Sequence, residues 1–296
     1  MDDWPLIPES ELRARLALTD EEFRGFLRTL ATSVGVREFT EEIYTRALGY
    51  PWARPPWSYL LTGDTVEALD DLPAGAADRL MHARWPLLAF GANGAPETLR
   101  LKLGHLAPEQ QRLLVIAGDL HGFDVGASAH PTIYGALPGT LFPSPGTVVR
   151  VSVLWVTAEQ LTALAWTELS YAFGRLDGIR FEPAPRGLPS LERVFVFASR
   201  LGALRLDGEV VALDAIQASG RQAPTYTQEQ LLDDIAVRVV GPGATAHTLV
   251  TRLIENFAGA AAVIAPILQA TSLAFDSPHW TRYGDAAPGQ GSASTR

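Results

Sequence analysis

The chain has 296 residues, no cysteine, and a formal charge of −9 from 24 Lys plus Arg against 33 Asp plus Glu. A hydrophobic fraction of 47% can bury a core, so global disorder is excluded; without Cys there is no disulfide framework, thiolate nucleophile or Cys-ligated metal. The acidic balance and the lack of a Lys/Arg-rich block argue against nucleic acid as a partner.

The start, Met1-Asp2-Asp3-Trp4-Pro5, lacks the basic and apolar regions of a signal peptide, and a cytoplasmic location is expected. Residues 19–34 predict an amphipathic helix. Thr19 with Glu22 makes a capping box, and Phe23, Phe26, Leu27, Leu30, Ala31 and Val34 share one face. A second helix is expected over 40–48, stopped by Gly49 in a left-handed terminal conformation. Tyr50-Pro51-Trp52-Ala53-Arg54-Pro55-Pro56-Trp57 is a stiff loop whose tryptophans read as packing residues, with a ligand platform as the alternative. Residues 1–80 are thus expected to form a helical N-terminal region.

From Trp85 the period changes. Strands are expected at 86–90, 113–117, 147–156, 193–198 and 204–212, the last around an Asp207-Gly208 hairpin turn, and helices at 96–103 and 158–173. Over 81–224 this mixture points to an α+β class rather than regular βαβ alternation. After Pro224 helices return. Thr227-Gln228-Glu229-Gln230 caps one with Leu231, Leu232, Ile235 and Val239 on its apolar face, and a longer one is expected over 246–275. Within it, 257–275 comes nearest to a membrane span, but Pro266 and the Ala/Gly content favour a core helix, so no membrane partner is expected. Residues 225–283 read as a C-terminal helical region and 284–296 as a disordered tail.

Two motifs are weighed and set aside. Gly118-Asp119-Leu120-His121-Gly122, with Asp124 and His130 nearby, looks like the first metal motif of calcineurin-type metallophosphatases, but that family's later ligand segments are absent. A polar strand-end turn is preferred there. Ser128 lies two residues from His130 without a Gly-x-Ser-x-Gly elbow or an obvious third partner. No metal and no organic cofactor is expected.

Two other constellations carry more. Leu87 to Gly94 is a short buried strand entering a turn, and Pro96 with Glu97 then opens a helix. Backbone N–H groups converge in such a joint and can hold an anion or polarise a carbonyl, while Gly91 and Gly94 allow close approach. Further on, Thr157-Ala158-Glu159-Gln160 caps a helix on which Leu161, Leu164, Ala165 and Glu168 occupy i, i+3, i+4 and i+7. A carboxylate on such a face is paired, reaches water, or sits in a pocket favouring the acid form, which would suit a general base. The plain alternative is a helix-end Glu in solvent or paired with Arg175.

Phe90-Gly91-Ala92-Asn93 resembles the Tyr-Gly-Ser-Asn turn of the gamma-glutamylcyclotransferase-like family, and Pro96-Glu97-Thr98-Leu99 resembles its early helix. Tyr134-Gly135-Ala136-Leu137-Pro138-Gly139-Thr140-Leu141 and Pro143-Ser144-Pro145-Gly146-Thr147-Val148 look like the family's middle, and Leu164 through Glu168 to Tyr171 looks like its Leu-x-x-x-Glu-x-x-Tyr helix. The resemblance covers residues 86–180, fading towards 215, and rests on the order and spacing of the motifs. It implies a small mixed β-barrel with a cavity, flanked here by N- and C-terminal helices. It also implies a cyclotransferase, of lyase or acyltransferase type, that turns a γ-glutamyl amine or peptide into 5-oxoproline. Glu168 would be the acid/base, with Phe90, Gly91, Ala92, Asn93, Gly94, Tyr134 and Tyr171 binding a small amino-acid derivative. Phe90 and Ala92 stand where the family has Tyr and Ser, so two hydroxyls are missing. That implies either another amide or acyl-amine substrate, or a non-catalytic binding or interaction module whose terminal helices cover the cavity or build a dimer interface.

Overall fold

Five strands close into a barrel because two of them are long enough to pair with several neighbours in turn. The computed structural model describes residues 4–285. The chain opens with α1 (Ser10–Leu16), α2 (Asp20–Ser33) and α3 (Glu41–Leu48), then a hairpin of β1 (Tyr59–Thr62) and β2 (Thr65–Ala68), and α4 (Ala76–Met81). Next come β3 (Trp85–Ala89), α5 (Pro96–Leu103), β4 (Leu113–Ala127), β5 (Gly139–Val156), α6 (Ala158–Ala165), β6 (Tyr171–Pro183) and β7 (Leu191–Ser199). Short strands follow: β8 (Arg205–Leu206), β9 (Glu209–Val210), β10 (Ala212–Leu213), β11 (Ala218–Ser219) and β12 (Thr225–Tyr226). Then come α7 (Gln228–Val240), α8 (Ala246–Glu255), α9 (Phe257–Gln269) and β13 (Trp280–Arg282).

The ring runs β5-β3-β7-β6-β4 and closes through β4–β5; β3 and β7 are parallel and the other joints antiparallel. Adjacent residues on these strands go to opposite faces, as the strand period requires. Leu88, Ile116, Val153 and Val196 join a core that includes α7 and α8, while Leu87, Val115, Leu154 and Phe195 join a second with α5 and α6. The class is therefore mixed α+β around a closed five-stranded barrel with several helices.

Several expectations need correction. The first 80 residues are not purely helical: β1 and β2 turn at Gly63-Asp64, and β1 adds to β4. Gly49 ends α3 in a right-handed conformation, at φ −75°. The helix expected over 158–173 stops at Ala165, and β6, read as helix end and loop, is a barrel strand. The helix expected over 246–275 is two helices, broken at Asn256, whose side chain accepts from Gly259 N–H to restart the second. The C-terminal region also supplies β13 to β6. The Asp207-Gly208 turn does join β8 to β9, with φ of 50° and 91°. No described helix is long and apolar enough to cross a membrane. The expected tail, 284–296, lies almost wholly outside the described residues.

One contact set places α2 over the barrel. Its capping box forms as expected, and Asp20 in its first turn accepts from Arg200 at 2.8 Å and Arg282 at 3.2 Å. The Arg200 guanidinium also lies over the Phe23 ring, at 4.1 Å. From there α2 packs against α9.

Candidate functional site

A cavity of about 830 Å³ lies between one side of the barrel and the pair α2 and α9. Phe90, Gly91, Ala92, Asn93, Tyr134, Glu168 and Tyr171 all line it. Gly94 does not: it is buried, and its carbonyl accepts from the Tyr59 hydroxyl at 3.1 Å.

Glu168 reaches this cavity from a turn rather than a helix face. After Ala165 the chain tightens: Thr167 N–H donates to the Leu164 carbonyl, Glu168 N–H to that of Ala165, and the Thr167 hydroxyl caps Leu164 as well. Tyr171 must then be extended, because β6 pairs with β7 from Tyr171 onwards, so sheet pairing overrides the helical pattern. Arg175 is not the partner of Glu168; it binds Asp177.

The partners of Glu168 are Asn93 and Lys102. Asn93 Nδ2 and Lys102 Nζ both donate to Glu168 Oε1 at 2.9 Å, and Lys102 Nζ donates to Asn93 Oδ1 at 2.7 Å. The triangle is nearly out of solvent, with the Lys102 and Glu168 side chains 17% and 12% exposed. Among the described residues Glu168 Oε2 takes no protein hydrogen bond, so one oxygen is fixed and the other is left to act. Sequence reasoning missed Lys102. A signal existed: among 24 basic residues it is the only lysine, at a place needing a compact ammonium with three donors instead of a planar fork.

The 91–94 turn is a single 3₁₀ turn, Ala92–Gly94. Gly94 and Ala95 N–H are spent on the carbonyls of Gly91 and Ala92, and Ala92 N–H is directed at the Tyr50 oxygen, which leaves the Asn93 N–H as the turn's donor. The close approach permitted by its glycines is used by the protein itself: a Cβ on Gly91 would lie 2.6 Å from the Tyr50 hydroxyl, and one on Gly94 3.2 Å from Arg54. The 50–59 segment therefore forms part of the floor. Gly139 N–H donates to the Tyr50 oxygen at 2.6 Å, and the Tyr171 hydroxyl donates to the Gly139 carbonyl at 2.7 Å. Burial pushes the Tyr50 phenol up to about 12 and raises Tyr134 and Tyr171 further, so all three serve as neutral groups. Trp52 lines the cavity beside Tyr134, whereas Trp57 is exposed.

His130 also lines the cavity, and burial pushes its imidazole down to about 4. Ser128 does have further partners: its Oγ lies 2.9 Å from His130 Nδ1 and 2.6 Å from Ser199 Oγ, which in turn accepts from Leu201 N–H. The Ser128 hydroxyl also lies 3.4 Å from the Gly202 carbonyl, so it is held by three groups at once. Ser128 is fully buried behind His130 and does not line the cavity.

Asp119 and His121 lie elsewhere, paired with Arg150 and Glu182. Among the described residues no three His, Asp or Glu side chains come together as metal ligands would. No protein-family model and no curated protein sequence matches this chain.

Proposed function

We propose that the chain is a gamma-glutamylcyclotransferase-like enzyme acting on a γ-glutamyl amine, peptide or related amide. The observation that supports this best is the juxtaposition of Glu168 and Asn93, joined at 2.9 Å in one cavity beside the 91–94 turn.

In this reading Glu168 Oε2 takes a proton from the substrate α-ammonium. The freed amine attacks the γ-carbonyl within the same molecule, where proximity replaces a bimolecular encounter. The Asn93 N–H is the turn donor left for the oxygen that becomes negative. As the tetrahedral centre collapses, the bond to the leaving amine breaks, Glu168 returns its proton to that amine, the second proton shed by the ring nitrogen leaves with the amine as its ammonium form, and 5-oxoproline remains. Lys102 holds Glu168 Oε1 and Asn93 Oδ1 and keeps a third N–H for a substrate carboxylate.

The alternative is a non-catalytic binding module on the same fold. It draws on the same pair, since the Lys102 ammonium already neutralises Glu168. Assay of 5-oxoproline release from γ-glutamyl amines and peptides separates the two. The enzyme reading expects product, reduced about 10²–10⁴-fold in Glu168→Gln, whose amide cannot act as base. Turnover undiminished by that substitution, or no product from any γ-glutamyl compound, overturns it.

A further inference from the structure

The polar residues account for only one part of the cavity. The rest is walled mainly by Leu27, Leu30 and Ala31 of α2 and by Ala258, Ala261 and Ala265 of α9, with Arg24, Arg28, Thr32 and Gln269 also on this side. Residues 24–34 of α2 contribute to this wall, a length of roughly 15 Å at about 1.5 Å of rise per residue. An amphipathic helix normally spends its apolar stripe on a core. Here Phe23 is the sole fully buried residue of α2, and Leu27, Leu30, Ala31 and Val34 stay half-exposed towards the cavity. Helix α9 repeats the pattern: only Ile264 and Leu268 are fully buried, and the small side chains of Ala258, Ala261 and Ala265 leave width on the cavity side. At about 830 Å³ the space is near the top of the range of about 300–1,000 Å³ found for sites that enclose a drug-sized ligand. An amino-acid head alone would leave most of it, and the whole α2 stripe, against water.

We infer that the ligand of this cavity is a conjugate with a polar amino-acid head at Asn93, Lys102 and Glu168 and an elongated apolar chain lying along the wall that α2 and α9 form over the barrel. This rests on the reading of the Glu168 end as the head-group site, and it names the amine partner as an alkyl or similarly lipophilic amine.

A homologous series of γ-glutamyl-n-alkylamides, ethyl to dodecyl, tests it with the full chain. Binding is measured by calorimetry on Glu168→Gln, in which slowed turnover lets the probe persist, and 5-oxoproline release is measured on the unsubstituted protein. The expected result is a gain of about fourfold in affinity for each added methylene, from burial of that group, until the chain fills the space. Ala261→Trp is expected to shorten the chain length at which the gain stops, and Leu30→Asp to flatten the series. Affinity independent of chain length, or the same series in both variants, overturns the proposal. Chain-length-dependent binding with no 5-oxoproline keeps the ligand class and removes the reaction. Product from short amides or peptides with a flat series keeps the reaction and removes the ligand class.

Discussion

Asp124 and Glu168 both sit beside a cation and away from bulk water, yet their hydrogen bonds are distributed differently. Asp124, on β4, is fully buried; Arg221 reaches both its oxygens, at 2.7 and 2.8 Å, and Val125 N–H adds another bond at 2.8 Å. Arg221 also ties to the Ile216 carbonyl, so that pair is saturated and joins β4 to the loop between β11 and β12. Glu168 instead gathers Lys102 and Asn93 on one oxygen at the edge of a cavity. A saturated pair is a structural fastening, whereas one with an unused acceptor can bind or move a proton. Burial alone does not separate the two; the count of unused donor and acceptor positions does.

The largest effect on stability is expected at the saturated pair. Asp124→Ala strands a nearly buried guanidinium and should cost about 3–5 kcal/mol, read as a lower midpoint in urea denaturation. A loss below about 1 kcal/mol would erase the contrast.

His130 stands between the two cases, with Nδ1 satisfied by Ser128 and Nε2 left for the cavity. Its folded value of about 4 lies below the ordinary 6.5, so between those pH values the unfolded chain holds a proton that the folded chain lacks. The stability it confers is present above about pH 6.5 and is lost as pH falls towards 4, with a slope of up to about 1.4 kcal/mol per pH unit. Denaturation of wild type and His130→Gln across this window should show that slope only in wild type; equal slopes would place the titration elsewhere.

The smallest change in stability belongs to Lys102→Met. The side chains are mostly buried, but the cavity keeps water within reach of Glu168, so the cost should be about 1–2 kcal/mol, below that at Asp124. Turnover should fall on the order of tenfold to a hundredfold as Glu168 and Asn93 lose their common anchor. A large stability loss with unchanged turnover would make this pair a second fastening like Asp124 and Arg221.

What could be read in the sequence was mostly local. The capping boxes at Thr19, Thr157 and Thr227 are formed, because each depends on residues three apart. The Asp207-Gly208 hairpin was legible for the same reason. The hairpin around Gly63-Asp64 carries an equally local signal, but it sits in a stretch judged by its neighbouring helices. Strand β6 was obscured by Gly174 and Gly178, which break its pattern; at Gly174 a Cβ would collide with Trp280, so that glycine makes room for β13. That requirement is set more than a hundred residues away. Asn93 and Glu168 stood out as polar residues in apolar surroundings, but the turn that carries Glu168 is dictated by the β6–β7 pairing. Tyr50 and the α2–α9 wall come from chain ends distant in sequence, and no periodicity links them to the 91–94 turn.

The hydroxyl of Tyr50 resting against Gly91 sets the minimum unit of this architecture. An excised fragment starting at residue 81 would retain the motifs at 90–93 and 164–171, yet it would expose the edge of β4 that β1 covers and open a gap beneath the 91–94 turn. Domain boundaries drawn by motif content would therefore cut through the floor of the cavity.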